Sequence, residues 1–178
     1  MKMKNQNYKQ TEFIEVEAKV DIAIEKLCQK DLYLFQAGVH ERTISHKFAG
    51  YLQQEFKGVF SVDCEYNRDG LNTKALEGVV NEREERQKHR IFPDIIVHVR
   101  GKNGNPFNKL VIEIKSSNDS NTGDIEKLCG LTSPKHRFNY KYGLFIRFKN
   151  NIEKAMPIEE LVLEKRWFQN GKKVNDAI

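Results

Sequence analysis

The feature that most constrains the fold of this chain is a pair of apolar stretches separated by turn-forming residues. DIIVHVR covers residues 94–100, KLVIEIK covers residues 109–115, and the segment between them is GKNGNPFN. Short runs of β-branched residues bounded by glycine, asparagine and proline are typical of β-strands. The two stretches are therefore predicted to form an antiparallel hairpin within a sheet.

The second stretch carries two charges that a buried strand normally excludes, since an unpaired ion out of water costs several kcal/mol. Side chains alternate between the faces of a strand, so Glu113 and Lys115 share one face with Val111. Ile112 and Ile114 occupy the opposite face. We therefore expect the isoleucine face to pack on the core and the other face to carry a charged site.

Asp94, at the start of the first stretch, is expected to join this site. If the turn is centred near residues 104 and 105, the hairpin brings Asp94 beside Glu113 and Lys115. Two carboxylates and one ammonium then converge at one edge of the sheet. An ion-pair network at the rim of the hairpin is the simpler alternative, but it would leave one acid without a cationic partner.

A helix upstream supplies a further acid. Apolar residues at helical spacing predict this helix over about 40–56. Its buried stripe consists of Ile44, Phe48, Tyr51, Leu52 and Phe56. Glu41 lies about 20° from Phe48 around the helix axis and is expected to point toward the charged site. Acids are also common in the first turn of a helix because they favour its dipole.

The chemistry of such a site follows from its carboxylates, which repel one another and raise each other's pKa unless a cation is present. A hard divalent ion resolves this conflict, and carboxylate oxygens with water suit Mg²⁺ or Mn²⁺. Such an ion can activate water and stabilise the charge that grows on a phosphate. A neighbouring lysine can orient the water or stabilise the same charge. The pattern therefore indicates phosphodiester hydrolysis.

At these residues the chain resembles a known superfamily. Pro93-Asp94, then 18 residues, then Glu113-Ile114-Lys115 is similar to the motif of the PD-(D/E)xK nucleases. More narrowly, DCEYNR, RIFPDIIVHVRG, LVIEIK and YGLFI resemble a family of uncharacterised bacterial proteins assigned to that fold. The resemblance spans about residues 40–148. It implies a restriction-endonuclease-like α/β core, with a mixed central sheet that contains an antiparallel hairpin and is flanked by helices.

The resemblance also implies roles for single residues. Asp94 and Glu113 would bind the metal, with the backbone carbonyl of Ile114 as a further ligand. Lys115 would be the catalytic lysine, and Glu41 an accessory ligand or a water-orienting acid. The implied activity is a metal-dependent nuclease, with DNA expected in preference to RNA. The alternative is a non-catalytic nucleic-acid-binding or assembly module of the same fold.

A basic segment near the last motif is a weaker candidate for nucleic-acid binding. KHRFNYKYG, residues 135–143, interleaves cations with aromatic rings. The cations are Lys135, Arg137 and Lys141, and the rings are Phe138, Tyr140 and Tyr142. Cations hold phosphates and rings stack on bases. The rings could equally anchor the strand that follows.

Three other charged residues have two readings each. Lys127 lies on a helix predicted over 123–132 and is either a phosphate contact or an exposed helix lysine. Glu65 and Asp63 share the polar face of a strand predicted over 59–66, which either reaches the site or is solvated. On that strand, Phe60, Val62, Cys64 and Tyr66 are expected to share the opposite face.

The remaining elements complete a mixed α/β layer of the order α-α-β-β-β-α-β-β. A first helix is predicted over about 12–29, after a polar flexible tail at residues 1–10. The run NEREERQKHR within 67–90 is expected to form a loop or a short exposed helix. YGLFIRF and LVLEKRWF are the last predicted strands.

Length and composition indicate the number of domains, the class of partner and the location of the protein. A length of 178 residues suits one domain, and a net charge of +5 is compatible with nucleic acid. No run of about 18 apolar residues and no apolar signal segment is present, so a cytoplasmic protein without a membrane partner is expected. The three cysteines are expected to be buried free thiols. Since no separate recognition domain is evident, specificity would come from a homodimer, a protein partner or substrate structure.

Overall fold

The computed structural model describes residues 2–66, 68–69, 72–73, 92–117 and 119–174, with side chains described from residue 10 and not for 68–69 or 72–73. Its helices are α1 (Lys2–Lys30), α2 (Leu32–Gln36), α3 (Glu41–Glu55), α4 (Thr122–Thr132) and α5 (Ile158–Leu161). Its strands are β1 (Ser61–Cys64), β2 (Arg68–Asp69), β3 (Asn72–Thr73), β4 (Ile95–His98), β5 (Asn108–Lys115), β6 (Tyr142–Phe148), β7 (Val162–Gln169) and β8 (Lys172–Lys173).

Six strands form one open, mostly antiparallel sheet in the order β1-β4-β5-β6-β7-β8. Strands β5 and β6 are parallel, and the chain between them contains α4. Strands β2 and β3 form a separate antiparallel pair. The chain is therefore of mixed α/β class, as its pattern of elements predicts.

The predicted hairpin is confirmed, with β4 and β5 antiparallel and Ile95 paired with Ile112. Extending this register by one pair places Asp94 opposite Glu113. The expected turn centre, at residues 104 and 105, is about one residue too late, and the pairing shifts between Val97 and His98. Asp94 consequently lies across from Glu113 rather than from Lys115.

The alternation of β5 is also confirmed, because each face of the sheet has its own apolar cluster. Ile112 and Ile114 pack with α1 and α3, and we call this side the α1–α3 face. Val111 packs with Leu128 of α4 and Phe145 of β6, and we call this side the α4 face. Glu113 and Lys115 therefore belong to the α4 face, as their spacing predicts.

Helix α3 closely matches its predicted range, with Ile44, Phe48 and Leu52 buried at four-residue spacing. The predicted start of the first helix near residue 12 is wrong, because α1 begins at Lys2 and includes most of the expected tail. The apolar stripe begins only at Phe13 and Val16, so periodicity carries no signal before it. No glycine or proline precedes Gly38, so no residue before Phe13 prevents the helix from extending back to Lys2.

Strand β1 ends at Cys64, earlier than predicted, because Glu65 has a positive φ of 47°. That conformation breaks the alternation of side chains. Tyr66 therefore packs on the α4 face, with its ring centroid 4.7 Å from that of His98, and its predicted common face with Val62 is wrong.

The charged run NEREERQKHR lies outside the described residues. The last two predicted strands are confirmed as β6 and β7. The three cysteines are free, as expected, but only Cys28 is buried, and the expected burial of Cys64 and Cys129 is wrong. Within the part of the chain that the structure describes, no helix is both long enough and apolar enough to cross a membrane.

Candidate functional site

A cluster of six charged side chains lies at the end of the β4–β5 hairpin, between the start of α3 and the start of α4. Its members are Glu41, Asp94, Glu113, Lys115, Asp124 and Lys127. The structure thus brings together all four residues expected to form the site. It adds Asp124, which is not among the predicted residues, and Lys127, a weaker candidate for a phosphate contact.

Glu113 is the most buried member, with only 2% of its side chain exposed. Its Oε2 accepts a hydrogen bond of 2.8 Å from the Lys127 ammonium. Among the described residues, no group donates to its Oε1. Burial raises the pKa of Glu113 to about 8, and the nearby Asp94 carboxylate adds to this shift while Lys127 opposes it. Glu113 is a carboxyl group held where a cation would stabilise it.

Asp94 occupies the point where β4 joins the sheet. Extending the hairpin register by two pairs places Pro93 opposite Ile114, and the Ile114 N–H donates instead to Asp94 Oδ2 at 2.7 Å. Burial raises the pKa of Asp94, although the Ile114 N–H and Lys127 counteract it. This hydrogen bond fixes the carboxylate beside Glu113. The role of the Ile114 carbonyl stays a prediction.

Glu41 begins α3, after His40 in an extended conformation. Its Oε1 accepts a hydrogen bond of 2.9 Å from the backbone N–H of Ser116, just past the end of β5. Its Oε2 lies 3.7 Å from Lys115 Nζ. The expected direction of Glu41 is confirmed, and its contacts show that it also holds the end of β5.

Lys115 does not pair with Glu113, although the two share a face. Its ammonium lies 3.4 Å from Asp124 Oδ2 and 3.7 Å from Glu41 Oε2. Burial lowers the pKa of Lys115, but the carboxylates of Asp124 and Glu41 outweigh this effect and raise it. Lys115 is therefore held charged at one side of the cluster.

Asp124 and Lys127 both project from the first two turns of α4. They are three residues apart, and Lys127 Nζ lies 3.7 Å from Asp124 Oδ1. Residues at this spacing share a helix side, so the sequence contains a signal for the pair. It contains none for which side faces the end of β5, because that depends on how α4 packs against the sheet.

An arginine of β6 holds the loop that leads into α4. Arg147 pairs with Lys115 in the parallel ladder, and its guanidinium donates to the carbonyls of Ser117 and Asp119. Its Nε lies 3.5 Å from a carboxylate oxygen of Glu164. These contacts anchor the loop and therefore support the placement of α4 beside the cluster.

The other predicted candidates have different surroundings. Glu65 makes an ion pair of 2.7 Å with Arg42. Asp63 accepts hydrogen bonds from Arg100 and lies 2.9 Å from His98 Nε2, so it belongs to a separate group on β1 and β4. Neither residue has an observed ion pair with a member of the cluster.

The side chains of the basic segment 135–143 also differ in their surroundings. Its three rings, Phe138, Tyr140 and Tyr142, are buried, so the reading that they stack on bases is wrong and they anchor β6. Lys141 pairs with Glu12 of α1. Lys135 and Arg137 are exposed.

The carboxylate oxygens of the cluster are ligands of the type that a divalent cation such as Mg²⁺ prefers, but their number is small. In the described ranges, no three histidine, cysteine, aspartate or glutamate side chains lie where together they could hold a metal ion. Mg²⁺, however, commonly uses one or two carboxylates and keeps several waters. Asp94 and Glu113 could supply those two carboxylates, and the buried Glu113 Oε1 has no observed donor. With all groups ionised, four carboxylates and two ammonium groups leave an excess of two negative charges.

In comparisons with known proteins, no protein-family model, no curated protein and no solved structure matches the chain.

Proposed function

We propose that the chain is a metal-dependent nuclease that hydrolyses phosphodiester bonds, with DNA as the expected substrate. The observation that carries the proposal is the buried Glu113 beside the half-buried Asp94, with no donor to Glu113 Oε1 among the described residues. A buried carboxylate without a full set of partners is costly, and a bound cation removes that cost.

The arrangement of elements supports a restriction-endonuclease-like core for this proposal. The sheet is mixed, contains the antiparallel β4–β5 hairpin and has helices on both faces. A helical acid, Glu41, precedes the first strand of the sheet and reaches the end of β5. These are the features that the resemblance to the PD-(D/E)xK superfamily implies.

In the proposed site, Asp94 and Glu113 would hold Mg²⁺ or Mn²⁺, with the Ile114 carbonyl as a further ligand. When bound, such an ion would supply a water of lowered pKa and stabilise negative charge on the phosphate. Lys115, charged beside Asp124 and Glu41, stabilises the negative charge that grows during hydrolysis. Glu41 orients water through its carboxylate while its other oxygen holds the end of β5.

The support for nucleic acid as the partner is electrostatic. The net charge of +5 favours a polyanion, and Lys135 and Arg137 are exposed cations on the segment before β6. The choice of DNA over RNA, and a homodimer or protein partner as the source of specificity, are expectations from the resemblance and from the chain's length.

One observation favours the alternative, a non-catalytic binding or assembly module of the same fold. The Lys127 ammonium already donates to Glu113 at 2.8 Å, and Lys115 lies near both Glu41 and Asp124. An ion-pair network of this kind needs no metal. It predicts nucleic-acid binding without metal-dependent turnover.

The deciding experiment incubates the protein with linear, circular, branched and single-stranded DNA and with RNA, each with Mg²⁺, Mn²⁺ or chelator. Asp94→Asn, Glu113→Gln and Lys115→Met are each expected to lower cleavage at least about a hundredfold, as loss of a group acting in the transition state does. Glu126→Gln is the matched control, because Glu126 is an exposed acid on α4 outside the cluster.

Cleavage that persists in all three variants would contradict the proposed site. Binding that is independent of metal, with no cleavage of any substrate by the unaltered protein, would favour the non-catalytic alternative.

A further inference from the structure

Two lysines enter the charged cluster, and they differ in what they contact. The Lys127 ammonium donates to Glu113 Oε2 at 2.8 Å. The Lys115 ammonium contacts Glu41 and Asp124 instead, at 3.7 and 3.4 Å. Lys127 is therefore the cation that occupies the carboxylate to which the proposed metal would bind.

The ion would bind Glu113 through Oε1, which has no donor among the described residues, while the Lys127 ammonium holds Oε2 of the same carboxylate. Mg²⁺ binds carboxylate oxygen at about 2.0–2.1 Å, whereas the ammonium is held at hydrogen-bond distance from the same carboxylate. Two cations so close together repel strongly, and burial of Glu113 weakens the screening between them. Binding of the ion therefore favours movement of the ammonium away from Glu113.

The structure also provides a place for the lysine to go. Lys127 is 27% exposed, and its flexible stem starts from α4 at the rim of the cluster. Asp124 Oδ1 already lies 3.7 Å from its ammonium, one helical turn away. A rotation of the side chain would exchange Glu113 for Asp124 without breaking α4.

We propose that Lys127 is a placeholder cation, which a divalent metal displaces from Glu113 toward Asp124 and which thereby weakens metal binding by the resting protein. This inference rests on the proposed metal site and gives a role to a residue outside the Pro-Asp and Glu-Ile-Lys motif. Lys127 is in this sense a residue that sets metal affinity.

The test is calorimetric titration of the full chain with Mn²⁺ at about pH 8, where protons compete less with the ion. Lys127→Met is expected to bind Mn²⁺ about ten- to hundredfold more tightly than the unaltered protein, because no charge-assisted hydrogen bond has to be broken. Lys115→Met is the matched control. It removes the same charge from the same cluster but no contact to Glu113, and we expect a gain below about fivefold.

Equal gains in the two variants, or a loss of affinity in Lys127→Met alone, would overturn the inference while leaving the metal site intact. Absence of Mn²⁺ binding by the unaltered protein and by both variants would overturn the metal site itself. The two failures are therefore distinguishable.

A second measurement uses the unaltered protein, so that it does not depend on how a variant folds. Lysine-directed acylation followed by mass spectrometry is carried out with and without Mn²⁺. Displacement predicts that acylation of Lys127 increases when the ion is added, because its ammonium leaves the buried carboxylate. Unchanged or decreased acylation of Lys127, at an ion concentration where calorimetry shows binding, would contradict displacement.

Discussion

The substitution Glu113→Gln is expected to stabilise the folded chain at high pH, even though it removes a group of the proposed site. Burial raises the pKa of Glu113 from its ordinary value of 4.5 to about 8. The unfolded chain therefore releases this proton at lower pH than the folded chain. Because the folded state binds more protons between these two values, its stability falls as pH rises through that window.

The size of the effect follows from the two pKa values. A difference of one pKa unit corresponds to about 1.4 kcal/mol, so the shift of Glu113 costs the folded state about 5 kcal/mol above pH 8. Little of this cost is present below pH 4.5, where the carboxyl group is protonated in both states. Glutamine has nearly the same shape and never ionises, so it should remove the cost.

The assay is urea denaturation of the unaltered protein and of Glu113→Gln at about pH 5 and pH 9 without divalent ions. The variant should be more stable by several kcal/mol at pH 9, and the difference should nearly vanish at pH 5. The exposed Glu126→Gln serves as the control and should show no such trend. A variant that is equal to or less stable than the unaltered protein at pH 9 would refute the reasoning.

Two further predictions concern the scaffold. Gly143→Ala should destabilise the fold by about 1–3 kcal/mol, since a Cβ there would lie 2.9 Å from Thr132 Cγ2, between α4 and β6. Gly50→Ala in α3 has open space around it and should stabilise the fold by up to about 1 kcal/mol. Urea denaturation measures both changes, and effects of the same sign would contradict the packing argument. Asp63→Asn should cost about 1–3 kcal/mol at pH 7. Hydrogen bonds from Arg100 hold the pKa of Asp63 below its ordinary value of 3.8, so that cost should disappear as pH falls through the folded-state pKa, and a cost that persists at lower pH would contradict it.

The local sequence pattern was sufficient to predict the strand pair at the centre of the site. The alternation in residues 110–115 places Glu113 opposite the core face, and the turn residues before it determine that β4 and β5 pair in antiparallel fashion. The Pro93-Asp94 pair reflects the same local physics. Proline has no N–H to offer where the ladder ends, and the Asp94 carboxylate accepts the Ile114 N–H there.

Local pattern failed where a contact from elsewhere in the chain, or a single backbone angle, decided the outcome. Because Glu65 has a positive φ, Tyr66 lies on the α4 face and not on the predicted face of Val62. The rings of the segment 135–143, which could have stacked on bases, are buried as anchors of β6. Neither result has a marker in the spacing of the residues themselves.

What the sequence by itself determined is the class of the fold, the central hairpin and three of the charges on its α4 face. Period-two alternation and turn chemistry act over a few residues, and this is why they can be read without a structure. Only the tertiary structure decided which lysine donates a hydrogen bond to Glu113. The sequence places Lys115 two residues away, but the packing of α4 brings Lys127 to 2.8 Å and directs Lys115 to Glu41 and Asp124. The physical reason is that ion pairing depends on distance in space, and here that distance is set by helix-on-sheet packing.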